Sequence, residues 1–391
     1  MLSFKQELIE LGKKNLRRNL RLIESESTAW FIVDGKKVFN LCSNNYLGLA
    51  NDQRLKDAAI QAIRDYGFGS GASRLVSGNM KLHQELEHRL AEFKKSEACL
   101  VYNSGYTANV GIISALVKRG DIVFCDKLNH ASIIDGIVLS RAELKRYPHK
   151  DMAALEELLK KSVNFKNKLI ISDSVFSMDG DIAPLAGLIE LANKYECLLM
   201  IDEAHATGVL GENGRGVLEH LGLEDKKQGL IQMGTLSKAL GGFGAYVCGS
   251  RDLIEYLINK SRSFIYTTSL PPAVAAANIA AIEIVEKGVK LRLKLGKNIE
   301  FFRNKLHTLG FDTLETETAI IPLITKDSKS TMDFSRKLFD EGVFVQGIRP
   351  PTVPEGRARL RITLMATHTI DDLKFALTKI EKVAKELNIL G

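Results

Sequence analysis

Five apolar runs of strand length constrain this chain more than any other feature. They are Ala98–Tyr102, Asp121–Cys125, Lys168–Ser172, Cys197–Ile201 and Leu230–Met233. Each runs into a short polar or glycine-bearing segment. Helix-length amphipathic segments, such as Met152–Lys160 and Leu185–Tyr195, lie between several of them. Such alternation predicts an α/β fold, a doubly wound sheet of mostly parallel strands. In open sheets of this kind, ligands bind beyond the carboxyl ends of the strands. The five segments after the runs are therefore where chemistry is expected. Ala245–Cys248, after the glycine-rich Gly241–Gly244, adds a further candidate strand.

Past residue 285 the texture changes. Val285–Leu309 has a long, Lys-rich helical pattern, and the remainder mixes short strands with helices. The expected organisation is an N-terminal helix and arm over 1–45, a large domain over 46–285 and a smaller α+β C-terminal domain over 286–391. With 391 residues, 45% of them hydrophobic, the chain can bury a sizeable core. Its formal net charge is +7, but no basic block is interleaved with aromatics, so no nucleic-acid partner is expected. Cys42, Cys99, Cys125, Cys197 and Cys248 stand apart with no C-x-x-C pair. That spacing argues against a zinc site or a disulfide framework and for a reducing compartment. The first twenty residues read as a charged amphipathic helix without the apolar core of a secretory signal. No apolar stretch is long enough to cross a membrane. A cytoplasmic address is expected.

The segment Cys197–Gly208, CLLMIDEAHATG, carries Asp202 at the end of an apolar run and His205 three residues on. A carboxylate there suits an aromatic cofactor nitrogen, and it equally suits the cap of a following helix. Gly234–Gly244, GTLSKALGGFG, places Lys238 between an apolar strand and a glycine-rich turn. A partly desolvated lysine has a lowered pKa and acts as an amine nucleophile and base. Thr235 and Ser237 offer hydroxyls for a phosphate. NSGYTAN at Asn103–Asn109 reads as a turn opening a helix, whose free N–H groups suit an anion; Gly105 and Tyr106 are the candidates. DKLNHASI at Asp126–Ile133 offers His130, and SDSVFSMDGD at Ser172–Asp181 offers Ser177. GFGSGA at Gly67–Ala72 matches a dinucleotide fingerprint, but the preceding Leu55–Tyr66 reads as a helix, not the required strand. Nicotinamide binding is rejected, and Gly67–Gly78 reads as an active-site loop. In Ala358–Leu364, Arg359, Arg361 and Thr363 share one strand face. Arg361 suits a carboxylate, Arg349 is a second candidate, and Arg359 is expected on a solvated basic face.

Taken in order, NSGYTAN, NHAS, SVFSMDGD, DEAHATG and GTLSKALGG resemble the α-oxoamine synthases, which are fold-type I pyridoxal-phosphate (PLP) enzymes. The resemblance runs from SNNYLGLA at Ser43–Ala50 to the C-terminal region. It implies PLP as cofactor, with no metal. Lys238 is similar to the Schiff-base lysine, Asp202 to the partner of the ring nitrogen, and His205 to the residue that bonds the ring hydroxyl. His130 resembles the stacking histidine. Ser177 and Thr235 match further cofactor contacts, with Gly105 and Tyr106 near the phosphate. Thr267 and Thr268 match a segment that reaches the neighbouring subunit's cofactor, which implies a homodimer. Asn44 and Arg361 resemble groups around the amino-acid carboxylate, and Thr352 a position near the acyl substrate. Arg21 resembles the residue that meets the far carboxylate of a pimeloyl chain. The implied reaction joins a small amino acid to an acyl thioester with loss of CO2. Arg349–Thr369 and Thr267–Ala273 are most similar to the branch that uses L-alanine and pimeloyl-CoA, or a pimeloyl carrier protein, on the route to biotin. The alternatives are a glycine and acetyl-CoA condensation and a non-catalytic subunit. The presence of Lys238, Asp202 and His205 argues against the second.

Overall fold

A computed structural model describes residues 3–13, 16–226 and 229–389. The chain opens with α1 (Phe4–Lys13), then β1 (Trp30–Val33) and β2 (Lys36–Asn40). Residues 1, 2, 14 and 15, which the N-terminal helix pattern also took in, lie outside the described residues. Two compact units emerge. One holds residues 45–177 and 181–294, and the other holds 1–44, 178–180 and 295–391.

The larger unit carries α2 (Gln53–Tyr66), α3 (Lys81–Phe93), β3 (Ala98–Tyr102), α4 (Gly105–Leu116), β4 (Ile122–Asp126), α5 (Ala131–Ser140) and β5 (Glu143–Tyr147). It continues through α6 (Met152–Lys160), β6 (Lys168–Asp173), α7 (Leu185–Lys194), β7 (Leu198–Asp202), α8 (Val217–His220) and β8 (Leu230–Thr235). After these come β9 (Ala245–Gly249), α9 (Arg251–Lys260), α10 (Arg262–Ile265) and α11 (Pro272–Glu286). Among the described residues, β3 to β9 form one seven-stranded sheet in the order β3-β9-β8-β7-β6-β4-β5. β9 pairs antiparallel with both its neighbours, and every other pairing is parallel. Parallel strands buried on both faces read as continuous apolar runs. Accordingly Val123, Ile171, Met200 and Ile231 sit in one core cluster with Ile112 and Ile133 of the covering helices.

α12 (Val289–Thr308) follows, then β10 (Ile320–Lys326), α13 (Ser328–Asp340), β11 (Val343–Phe344), β12 (Gln346–Ile348), β13 (Ala358–Thr363) and α14 (Ile370–Glu386). In the smaller unit, β10, β13 and β12 form an antiparallel sheet, and β1, β2 and β11 form a mixed one in which β2 pairs antiparallel with β1 and parallel with β11. The helical pattern expected over Val285–Leu309 is interrupted. α11 ends at Glu286 and α12 starts at Val289, with Gly288, a poor helix former, in the gap. No helix among the described residues is long and apolar enough to cross a membrane.

One ion pair anchors the carboxyl end of β7. Lys94, at the end of α3, and Glu203, next to Asp202, have side chains 1% and 0% exposed, and they bond each other. Lys94 also donates to the Arg215 carbonyl, and Glu203 accepts the Val217 N–H at 2.8 Å. A buried charge left without its partner is costly, whereas removing both charges is much milder. Lys94→Met is therefore expected to lower the unfolding free energy by about 3–5 kcal/mol, and the double variant with Glu203→Leu to recover much of that loss. Urea denaturation of the three proteins checks it, and equal losses in the single and double variants would contradict it.

Candidate active site

The carboxyl ends of β3, β4, β6, β7 and β8 surround a cavity of about 190 Å³ in the larger unit. Asp202 is the last residue of β7 and is 5% exposed. Its Oδ1 accepts the Ala204 N–H at 2.9 Å, and its Oδ2 accepts from Asn109 Nδ2 at 2.9 Å. The chain after Ala204 continues as turns, so the Oδ1 contact closes a local turn and caps no helix. β8 is buried along its length and delivers the turn that carries Lys238. Lys238 Nζ lies 3.0 Å from His205 Nε2, and His205 Nδ1 lies 2.7 Å from the Tyr46 hydroxyl. Tyr46, His205 and Lys238 thus form one chain of polar contacts, with Tyr46 itself buried.

α4 opens at this cavity. Ser104 caps it, accepting the Thr107 N–H at 3.2 Å while its carbonyl accepts the Ala108 N–H. The N–H groups of Gly105 and Tyr106 stand ahead of these and have no acceptor within the helix. A helix start of this kind favours an anion. Gly105 also has a steric role, since a Cβ there would come within 2.8 Å of Thr235 Cγ2. A side chain at this position would close the gap between the start of α4 and the end of β8.

His130 and Ser177 reach the same cavity from β4 and β6. Asp173 stands beside Asp202 on the adjacent parallel strand. Its Oδ2 accepts the His130 N–H at 3.0 Å. Burial, reinforced by the Asp202 charge, raises the Asp173 carboxyl well above the usual carboxylate range. Burial also lowers the His130 ring's pKa, outweighing the Asp202 charge, and the Lys238 charge acts in the same direction as burial. Outside the cavity, His149 ties the two loops together. Its Nδ1 lies 3.1 Å from Asp126 Oδ1, at the end of β4, and its Nε2 lies 2.9 Å from Asp181 Oδ2, just past the Ser177 loop. The Phe176 ring packs edge-on against it.

The other sequence candidates fall elsewhere. Thr267 and Thr268 lie in the larger unit but outside this cavity's lining. There Asn103 Nδ2 donates to Thr267 Oγ1 at 3.1 Å and to the Thr268 carbonyl at 2.8 Å. Arg21, Asn44, Arg349, Thr352 and Arg361 belong to the smaller unit. Within it Arg361 Nη1 donates to Asn44 Oδ1 at 3.2 Å, and Arg21 pairs with Asp34 at 2.7 Å. Arg349 Nη2 donates to the Arg17 carbonyl at 3.2 Å, and Thr352 is exposed. Arg359 is not on a solvated face. It is 2% exposed and bonds Asp179 and the Met178 carbonyl. The fixed guanidinium fork finds partners that a sequence pattern does not show. Sequence reading also passed over Tyr46, Asn109, Ser132 and Asp173. All four lie inside quoted motifs, where a polar side chain in or beside an apolar segment was the available signal.

The chain matches the model of the family described as aminotransferase class I and II over residues 36–380. It is 55% identical, over the full length of both chains, to the 8-amino-7-oxononanoate synthase of Citrifermentans bemidjiense. Among solved structures, it is similar to a PLP-bound serine palmitoyltransferase from S. paucimobilis (30% identity, TM-score 0.94, covering 99% of this chain and 98% of that one). It is also similar to the 8-amino-7-oxononanoate synthase of Francisella tularensis (32% identity, TM-score 0.77, covering 89% and 98%).

The His149 clasp has a pH signature. Burial alone pushes the ring down, but the hydrogen bonds to Asp126 and Asp181 outweigh it and raise the pKa from 6.5 to about 9. A raised folded-state pKa adds stability that is complete below the unfolded value and disappears as pH climbs through the folded one. Stability is expected to fall between pH 6.5 and about 9, and His149→Gln to flatten that slope. Urea midpoints across this range check it, and an unchanged slope in the variant would contradict it.

Proposed function

Because the chain belongs to the aminotransferase class I and II family, and within it to the α-oxoamine synthases, we propose that it condenses L-alanine with a pimeloyl thioester. The products are 8-amino-7-oxononanoate, CO2 and the free thiol, and the place of the reaction is biotin biosynthesis. The observation that carries this reading is the meeting of an amine, Lys238, and a buried acid, Asp202, in one cavity, the amine beside His205 and the acid bonded by Asn109.

The residues present suit PLP. When bound, it supplies an aldehyde for a primary amine and an electron-poor ring that takes up charge from the adjacent carbon. Asp202 is placed to hold a proton on a ring nitrogen, since its carboxylate is buried and oriented by two donors. The start of α4, with Gly105 and Tyr106, suits the phosphate, and Thr235 adds a hydroxyl. Ser177 lines the same wall, and His205 suits the ring hydroxyl. Lys238 Nζ takes the α-proton from L-alanine and later returns it. The alanine α-carbon then bonds to the thioester carbonyl as the C–S bond breaks, and the carboxylate leaves as CO2. His130 holds a carboxylate or carbonyl oxygen of the substrate by a hydrogen bond. Arg361 with Asn44 is the proposed holder of the amino-acid carboxylate, with Arg349 as a second arginine and Thr352 near the acyl chain. Arg21 meets the distal carboxylate. The domain limits expected from sequence, 46–285 and 286–391, and a cytoplasmic homodimer in which Thr267 and Thr268 face the second subunit's cofactor, complete the proposal.

Purified protein given L-alanine and pimeloyl-CoA is expected to release thiol and form a product with the mass of 8-amino-7-oxononanoate. Turnover with glycine and acetyl-CoA alone would point to the rival condensation and refute this one. Lys238→Ala is expected to slow α-proton exchange of alanine by about 10²–10⁴-fold, the usual contribution of a positioned base. Wild-type exchange in that variant would remove Lys238 from the reaction.

A further inference from the structure

We propose that Asn109 and Ser132 form a hydrogen-bonded strut between Asp202 and His130 that fixes the His130 ring as its Nε2–H tautomer. His130 then offers a hydrogen-bond donor, and never an acceptor, to the substrate. The role of that donor rests on the function proposed above, but the strut and the tautomer do not.

Asn109 is 1% exposed, and its Nδ2 lies 2.9 Å from both Asp202 Oδ2 and Ser132 Oγ. A carboxylate only accepts, so the amide must turn its NH2 toward Asp202. Its two protons are then shared between Asp202 and the Ser132 hydroxyl. Asn109 Oδ1, turned the other way, is buried without a partner. An amide that leaves its carbonyl unbonded in order to serve Asp202 and Ser132 is held by those two contacts.

Ser132 is also 1% exposed. Having received the Asn109 proton, its hydroxyl has one proton to give, and His130 Nδ1 lies 2.8 Å away. The Ser132 backbone N–H, which can only donate, points at the same ring nitrogen at 3.3 Å. This second contact is the N-cap of α5, with His130 as the capping residue. Two donors converge on Nδ1, so Nδ1 is the acceptor and the neutral ring carries its proton on Nε2. Burial favours the uncharged ring. A histidine that takes a cap position is unusual, because Ser, Thr, Asp and Asn are the preferred caps. Here the cap contact also sets the ring's orientation. The strut joins the start of α5, the middle of α4 and the end of β7.

Holoenzyme labelled with 15N-histidine tests this, with the His130 signals assigned by their loss in His130→Gln. At pH 7.5 we expect an unprotonated Nδ1 and a protonated Nε2. A protonated Nδ1, or a charged ring, overturns the proposal whatever the turnover. Ser132→Ala is expected to shift both ring signals toward a mixture of tautomers and to lower kcat about tenfold, on the scale of one lost hydrogen bond. KM is expected to change far less. Ser132→Thr, which keeps the hydroxyl, is expected to restore both readouts. Unchanged ring signals and kcat in Ser132→Ala overturn the strut, and the wild-type spectrum decides the tautomer if that variant does not fold. Failure of the product assay, by contrast, would refute the proposed reaction and leave the ring spectrum to stand by itself.

Discussion

A carboxylate buried at the end of a central parallel strand dictates most of what surrounds it. Asp202 is almost sealed from water, and an ionised group in such a place needs donors aimed at it. The Ala204 N–H and the Asn109 amide are those donors. Their supply explains why a polar Asn109 sits buried within a mostly apolar helix, and why the chain turns after β7. The neighbouring Lys94–Glu203 pair pins the residue next to Asp202. The acid is held in place from both sides of its strand end.

Two adjacent acids in one sheet then divide their roles. Asp173 and Asp202 are register partners on β6 and β7. Burial and the neighbouring charge favour the protonated form of Asp173, which spares the site a second full negative charge. Asp173 is spent on structure, receiving the His130 N–H and fixing that loop. Both acids line the cavity with Lys238, His205 and His130. Perturbed titratable groups such as Asp173 and His130, gathered in one cavity, are a mark of sites that handle protons.

Much of the architecture could be read from the chain because parallel strands are buried on both faces and so spell out apolar runs. The runs that became β4, β6, β7 and β8 show this. β5, Glu143–Tyr147, was missed because it pairs on one side only and carries charges on its exposed positions. β1 and β2 were missed because they are short and half-exposed. At the site, Lys238, Asp202 and His205 stood out because each is a reactive side chain just past an apolar run. Asn109, Ser132 and Tyr46 did not, because their importance lies in which atoms they meet, and a sequence pattern does not show those contacts. Arg359 shows the converse. Its strand pattern suggested a solvated face, and only the folded chain brings Asp179 to it.

The account turns on a single amine becoming the attachment point of the cofactor. Borohydride reduction of the holoenzyme, followed by digestion and peptide mass mapping, tests that most directly. The account predicts a pyridoxyl group on the peptide containing Lys238 and on no other. A label on a different lysine, or none after reduction of protein saturated with pyridoxal phosphate, would contradict it.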